Sequence, residues 1–401
     1  MAQTAGCEVG SAHKPRVALV HNLYQQPGGE DVVFEAEGML LERCGHDVAR
    51  YVLDNRNVTD MGRIALAGAT LWNGAAHRGL RRLFADHGST VAHFHNTFPL
   101  VSPAGYYAAR GAGVAVVQTL HNFRLACPNA LFFRKQGVCE DCSGRRVPWP
   151  GVLHACYRGS RAASAVTAAM LTVHRAAGTW TNAVDRYVAL TRFARDKFVA
   201  NGIPPEKIAV KPNFVTPDPG VGEHRGGYAL YVGRLAPEKG VRTLVDAWVR
   251  VGGRFTLKVV GGGPLEGQLG ATPPGVEWLG HAPRTVVLDL MRDASFLIFP
   301  SEWYEVLPVT LLEAFATGLP VIASGLGAVA EIVEDGVTGR HFRPGDADDL
   351  AAAVEWAILH PAEVAAMGQA ARTEFETKYT ASRNYALLMD IYQAALAHAR
   401  G

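Results

Sequence analysis

The chain has 401 residues, 48% of them hydrophobic, more than a single core ordinarily serves, which predicts two domains. Lys plus Arg (39) nearly balances Asp plus Glu (37), and this excludes a generic nucleic-acid binder, whose binding face drives the net charge strongly positive. The opening MAQTAGCEVGSAHKPR has no apolar signal segment, and the longest apolar candidate, AASAVTAAMLTV (162–173), is too short for a membrane span, so a cytoplasmic setting is expected.

In chain order, β-rich runs alternate with helical patterns. VALVHN (17–22), ARYVLD (49–54), VAHFHN (91–96), VAVVQTLHN (114–122) and RYVAL (186–190) read as strands, with helices such as DVVFEAEGMLLERCG between several of them. After the turn-rich stretch 211–227 the alternation restarts with YALYVGR, FTLKVVGG, VEWLGH, SFLIFPS and PVIAS, each expected to be followed by a helix. Strands this uniformly apolar suit parallel sheets covered on both faces. The expected fold is therefore α/β, with two Rossmann-like, doubly wound domains at 1–212 and 213–378. A final helix, 379–401, has no strand after it and is expected to pack back across the domain junction.

In such sheets ligands bind beyond the carboxyl ends of the strands. After SFLIFPS comes EVLPVTLLEAF, which puts Glu305 in a loop, Pro308 in the first turn of a helix and Glu313 inside that helix. A helix amino terminus favours phosphate, and flanking carboxylates accept hydrogen bonds from sugar hydroxyls, a combination that suits a nucleotide sugar. The alternative is two solvated surface glutamates. After YALYV, GRLAPEKG sets Arg234 and Lys239 beside a helix start, where an anion shared by all of them explains the two cations; a solvated basic turn is the rival. The glycines at 261, 263 and 267 of VVGGGPLEG miss the dinucleotide spacing G-x-G-x-x-G and mark either a tight turn or a ligand contact.

GRLAPEKG, VVGGGP and E-V-L-P-V-T-L-L-E-AFATGLPVIAS together resemble the donor-domain signature of retaining glycosyltransferase family four, the group 1 glycosyl transferases. Glu305 and Glu313 match its E-x7-E motif. The resemblance implies a GT-B fold of two facing Rossmann-like domains with an interdomain cleft. It implies a nucleotide-diphosphate-sugar donor held by the second domain, with Glu313 on the ribose, Glu305 on the transferred sugar and Arg234 with Lys239 on the diphosphate. The first domain would bind a hydroxyl acceptor, a glycan, glycolipid or small molecule. Front-face transfer with retention needs, by the same resemblance, no protein nucleophile and no catalytic metal. Val306-Leu307-Pro308 stands where the family often has Gly-Phe-Gly, which leaves the backbone contacts to the sugar open, and Gly327-Ala328 replaces the usual Gly-Gly before Glu331. A nucleotide-sugar epimerase or a silent nucleotide-sugar-binding partner on the same fold are the alternatives.

In the first half, QQPGGEDVVFEAE sets Gly28 and Gly29 between a strand and a helix, where backbone amides can approach phosphates, with a plain flexible turn as the alternative. His121 of TLHN resembles the family's histidine beside the transferred sugar, with a satisfied structural histidine as the rival, while His93 and His95 read as core residues or as residues that back the site. Cys127, Cys139, Cys142 and Cys156 crowd an insertion at 122–161 and suit one structural zinc; buried thiols and an iron–sulfur or redox role are the other readings, and Cys7 and Cys44 lie outside the cluster. Finally, residues 145–175 hold Arg145, Arg146, Arg158, Arg161 and Arg175 with no acidic residue, and Trp149 and Trp180 flank the helix there. This predicts peripheral contact with the inner face of a membrane and a lipid-linked acceptor, against a solvated basic face or an arginine-lined sugar groove.

Overall fold

A computed structural model describes residues 14–25 and 28–400. Cys7, and Pro27 of the PGG loop, lie outside the described residues. The chain divides into two compact units, Met1–Leu131 with Glu140–Asn213 and Ala381–Gly401, and Phe132–Cys139 with Phe214–Thr380.

The first unit runs β1 (Val17–Leu23), α1 (Gly29–Arg43), β2 (Val48–Asp54), α2 (Arg63–Leu71), α3 (Gly74–His87), β3 (Val91–Asn96), α4 (Ala104–Arg110) and β4 (Ala115–Leu120). A two-residue hairpin of the second unit follows, β5 (Phe133–Arg134) with β6 (Gly137–Val138). Then come α5 (Trp149–Leu153), α6 (Arg161–Ala176), β7 (Arg186–Ala189), α7 (Arg192–Ala200) and β8 (Ile208–Val210). The six strands of this unit form a parallel sheet in the order β2-β1-β3-β4-β7-β8. β3 and β4 are buried along their whole length, their polar residues His93, His95, Asn96, Gln118 and Thr119 included. Side chains at three helix starts, Asn73, Ser160 and Thr191, accept from backbone amides of the first turn and fix where α3, α6 and α7 begin.

The second unit runs β9 (Tyr228–Val232), α8 (Val241–Val251), β10 (Thr256–Val260), β11 (Val276–Gly280), α9 (Arg284–Asp293), β12 (Phe296–Phe299), α10 (Val309–Thr317), β13 (Val321–Ser324), α11 (Gly327–Ile332), β14 (Gly339–Phe342), α12 (Ala347–Leu359) and α13 (Pro361–Lys378). Its parallel sheet has the order β11-β10-β9-β12-β13-β14. α8 buries Val241, Leu244, Trp248 and Val251, a helical stripe that packs with Leu350 and Val354 of α12 into one core. The last helix, α14 (Ala381–Arg400), belongs to the first unit: Tyr392 Oη lies 2.9 Å from His93 Nδ1, and Tyr385 Oη lies 2.9 Å from His46 Nε2.

Two expectations are corrected. No helix follows β10: the stretch between Val260 and Val276 is a chain of turns, because its glycines serve close backbone packing, described below. Trp180 does not present itself to a lipid surface, since it is 6% exposed and packs edge-on against Tyr106. Arg175 leaves the proposed basic surface as well, because its guanidinium donates to the backbone carbonyls of Leu125 and Arg146, each at 3.0 Å. Among the described residues no single helix is long and apolar enough to cross a membrane.

Candidate active site

In an open α/β sheet the crevice for ligands forms where the strand order reverses, beyond the carboxyl ends of the two strands that flank the reversal. In the second unit those strands are β9 and β12, and the loops that leave them carry Arg234, Lys239 and Glu305. The loops are fastened to each other. Gly240 has a φ of +67°, and a Cβ there would sit 1.9 Å from the Pro300 carbonyl oxygen, so only glycine lets the Lys239–Gly240 turn press on the end of β12. The Glu302 amide then donates to Glu238 O at 2.9 Å, and Lys239 Nζ reaches Glu305 Oε1 at 2.6 Å.

That same Oε1 accepts from Ser301 Oγ and Trp303 Nε1, each at 2.7 Å. Glu305 is 5% exposed, so three donors on one oxygen, one of them charged, offset the cost of burying the carboxylate. Arg234, the more exposed cation, donates to the buried Glu238. Burial, followed by the nearby Glu305 and Glu238 carboxylates, pushes the Tyr231 hydroxyl well above its ordinary range, and that hydroxyl donates to Arg234 O at 2.9 Å.

Glu313, the fifth residue of α10, is also buried, and its Oε1 accepts from Arg284 Nε at 2.6 Å. Arg284 opens α9, and no motif pointed to it. Each glutamate thus commits Oε1 to a cation of its own unit, and among the described residues neither Oε2 has a hydrogen-bond partner. Pro308 stands one residue earlier than expected, as the residue that precedes the first turn of α10. Val306 and Leu307 are buried, 6% and 7% exposed, which anchors the segment between the two glutamates in the core.

Two of the three glycines after β10, Gly261 and Gly263, pack backbone on backbone, while a Cβ on Gly267 would meet nothing. A Cβ on Gly261 would meet Gly233 O at 2.0 Å, and one on Gly263 would meet Leu235 O at 2.6 Å. Both peptides lie on the Gly233–Leu235 turn, with Leu235 N donating to Gly262 O at 3.0 Å. They shape the loop that carries Arg234.

In the first unit the order reverses between β1 and β3. Gly28 caps α1, and its amide donates to Asp31 Oδ2 at 2.8 Å, while Asp31 Oδ1 lies 2.7 Å from the buried His21 Nε2. Gly29 is the first residue of the helix. The start of α1 and the end of β4 meet: Asn122 Nδ2 donates to Glu30 Oε1 at 3.0 Å, and Tyr24 Oη donates to Glu30 Oε2 at 2.8 Å. Burial raises the Glu30 carboxyl above its ordinary range. The next residue back, His121, stacks on His95, with His121 Nε2 2.9 Å from His95 Nδ1. Gly28, Gly29 and His121 therefore share one end of this unit.

Behind them sits a cluster of which the sequence reading named His93 and His95 but missed Glu37 and Lys211. Glu37 Oε2 accepts from Lys211 Nζ at 2.8 Å, and Oε1 lies 3.0 Å from His93 Nδ1 and 3.4 Å from His95 Nε2. The ligand atoms of Glu37, His93 and His95 are close enough to one another for a metal ion. The Lys211 ammonium already supplies the cation, however, and His93 Nε2 is engaged with Thr119 Oγ1 at 2.7 Å. Cys127, Cys139, Cys142 and Cys156 are thiols and not disulfides, with Cys127 and Cys142 buried.

Two parallel-sheet α/β units with these strand orders define the GT-B class of folds. Similarity to known proteins agrees. Residues 226–360 match the model for "Glycosyl transferases group 1" and residues 27–219 that for "Glycosyltransferase Family 4". The chain belongs to the group 1, family 4 glycosyltransferases. It is 30% identical over 223 residues to the amylovoran biosynthesis glycosyltransferase AmsK of Erwinia amylovora, covering 51% of this chain and 55% of that one. It is 32% identical over 185 residues to the phosphatidyl-myo-inositol mannosyltransferase of Mycobacterium tuberculosis, covering 42% and 47%. The matches thus span about half the length of these relatives. Among solved structures, HepE of Anabaena in complex with UDP superimposes with a TM-score of 0.66 at 17% identity, over 94% of this chain and 98% of that one. Sucrose-phosphate synthase of Thermosynechococcus elongatus does so with 0.70 at 16%, over 96% and 100%.

Proposed function

We propose that this protein is a retaining glycosyltransferase that moves a sugar from a nucleotide-diphosphate sugar to a hydroxyl acceptor. The observation that carries the proposal is the pairing of Glu305 with Lys239 and of Glu313 with Arg284, each through one carboxylate oxygen, at the switch point of the second unit. The second oxygen of each glutamate serves a hydroxyl, Glu313 on the ribose and Glu305 on the transferred sugar. Arg234 and Lys239 take the diphosphate, and Val306, Leu307 and Pro308 line the sugar. The first unit provides the acceptor side, with His121 toward the sugar and the Gly28–Gly29 amides toward the phosphates.

In the step itself the anomeric carbon–oxygen bond to the diphosphate breaks. The acceptor hydroxyl attacks from the same face and gives up its proton to the departing phosphate. Negative charge grows on that phosphate, so preorganised cations stabilise the transition state more than the ground state. Thermal stabilisation by a panel of nucleoside diphosphates tests the donor side: a ligand at ~100 times its dissociation constant adds about 2.7 kcal/mol. A panel without any shift contradicts the proposal.

Two finer assignments complete the proposal. The thiolates of Cys127, Cys139, Cys142 and Cys156 hold one structural zinc, which orders a segment poor in periodic apolar residues. The acceptor is lipid-linked, and the membrane-facing surface is the exposed Arg145, Arg146, Val147, Trp149 and Leu153 around α5, where the Arg145 guanidinium lies 5.5 Å from the Trp149 ring. Sedimentation with anionic vesicles at low salt tests that surface, and absence of binding removes it.

A further inference from the structure

His121 is backed by a line of buried groups whose proton positions can be worked out one by one. Lys211 and Glu37 are each about 1% exposed and lie 2.8 Å apart. Burial alone would push the Glu37 carboxyl up, but the Lys211 ammonium and the His93 ring outweigh it and leave the group well below its ordinary range, hence ionised. Its Oε1 faces His95 Nε2 at 3.4 Å, and among the described residues neither atom has a shorter, better-aligned hydrogen bond. A bare imidazole nitrogen aimed at a carboxylate oxygen would be repelled, so His95 Nε2 carries hydrogen. Burial, then His93, pulls the His95 pKa down to about 3, so the ring is neutral and its Nδ1 is a bare acceptor. His121 Nε2, at 2.9 Å from that Nδ1, must then be the donor. Burial and the His95 ring likewise hold His121 well below its ordinary range, so it too is neutral.

We propose that Glu37 and His95 are positioning residues that fix His121 as its Nε2–H tautomer, so that the ring offers Nδ1 as a hydrogen-bond acceptor to a hydroxyl of the bound sugar. This rests on the reading that His121 faces the transferred sugar. His121 is part-exposed, and its Nδ1 has no hydrogen-bond partner among the described residues. A histidine with an unfixed tautomer would present a donor part of the time and lose the hydroxyl's hydrogen bond in that fraction of molecules. Lys211 keeps Glu37 ionised, Glu37 orients His95, and His95 orients His121, although Glu37 and Lys211 are 174 residues apart in the chain.

The tautomer can be read directly from two-bond proton–nitrogen correlation spectra of the full chain labelled with ¹⁵N-histidine, His121 being identified by the signals lost in His121→Gln. The expected result is a single neutral His121 with hydrogen on Nε2, unchanged between pH 6 and 8. A ring with hydrogen on Nδ1, a mixture of tautomers or an imidazolium in that range overturns the proposal. The double variant Glu37→Gln, Lys211→Met removes the buried ion pair as a unit and should turn His121 into a mixture. It should lower kcat roughly 10- to 100-fold, the size of a lost orienting contact, with donor KM within a few-fold. A pure Nε2–H ring in that variant also overturns the proposal. The two layers separate cleanly: full turnover of His121→Ala alongside a pure tautomer would remove the sugar-facing reading and leave the positioning result standing.

Discussion

Lys239 Nζ lies 2.6 Å from Glu305 Oε1, an ion pair that joins the loop after β9 to the loop after β12 at the reversal of the strand order. On the proposed function, the lysine is thereby positioned in advance for the leaving diphosphate.

Deleting this ammonium should cost turnover more than binding. Lys239→Ala is predicted to lower kcat roughly 100-fold or more, the range seen when one such preorganised contact is removed. Steady-state rates at saturating donor check this, and near-normal turnover removes the assignment. The variant also leaves the buried Glu305 without its cation, so its stability should be followed in parallel.

Glu313 should behave differently. If its Oε2 holds a ribose hydroxyl in ground and transition states alike, Glu313→Ala raises the donor KM by about 10-fold and changes kcat little. Arg284→Ala removes the partner of Glu313 Oε1 and should shift KM in the same direction by a smaller factor. A fall in kcat with constant KM would place Glu313 in the chemical step instead.

Stability should fall in mild acid. His95 and His121, and also His46 and His174, have folded-state pKa values depressed first of all by burial. Below the unfolded value of about 6.5 the unfolded chain binds protons that the folded chain refuses. Their contribution is therefore fully present above that pH and lost as the pH falls toward the folded values. For His95, faced by His21, His93, His121 and Glu37, the loss at pH 5 is about 2 kcal/mol. The raised Glu30 works in the opposite sense, its contribution being present at low pH and lost as the pH rises, and it offsets part of the slope. Urea midpoints at pH 7.5 and 5.0 measure the difference, and equal midpoints contradict it.

About one zinc per chain is predicted in protein purified without added metal. Cys139→Ser or Cys142→Ser should lower that stoichiometry and the stability of the protein while nucleotide binding persists. Transfer should need no added magnesium or manganese. Zinc near zero with four thiols titrating in the native state would refute the site.

The residues differ in how far the sequence alone revealed them. Strands such as β1, β9, β12 and β13 were legible because they are buried and nearly all apolar, and Glu305, Glu313, Arg234 and Lys239 were legible because they sit at strand ends within one motif. Arg284 was not, since it comes 29 residues before Glu313 and leaves a different strand, so only the folded sheet brings the two together. Glu37 lay inside an ordinary-looking amphipathic helix, and nothing local marks a glutamate whose lysine arrives from residue 211. A glycine run that packs backbone on backbone looks from sequence like the start of a strand-to-helix turn, and so a helix was expected after β10 that the chain does not make. Trp180 looked like an interface residue because aromatic character does not reveal burial.

The most direct measurement is the anomeric configuration of the transferred sugar. The full chain is incubated with a nucleotide-diphosphate sugar that stabilises it and with hydroxyl acceptors, and the anomeric proton coupling of the product is compared by NMR with that of the donor. The account predicts a new glycoside with the donor's configuration, formed together with one nucleoside diphosphate. A product of inverted configuration, or isomerised donor sugar without any transfer, would contradict it.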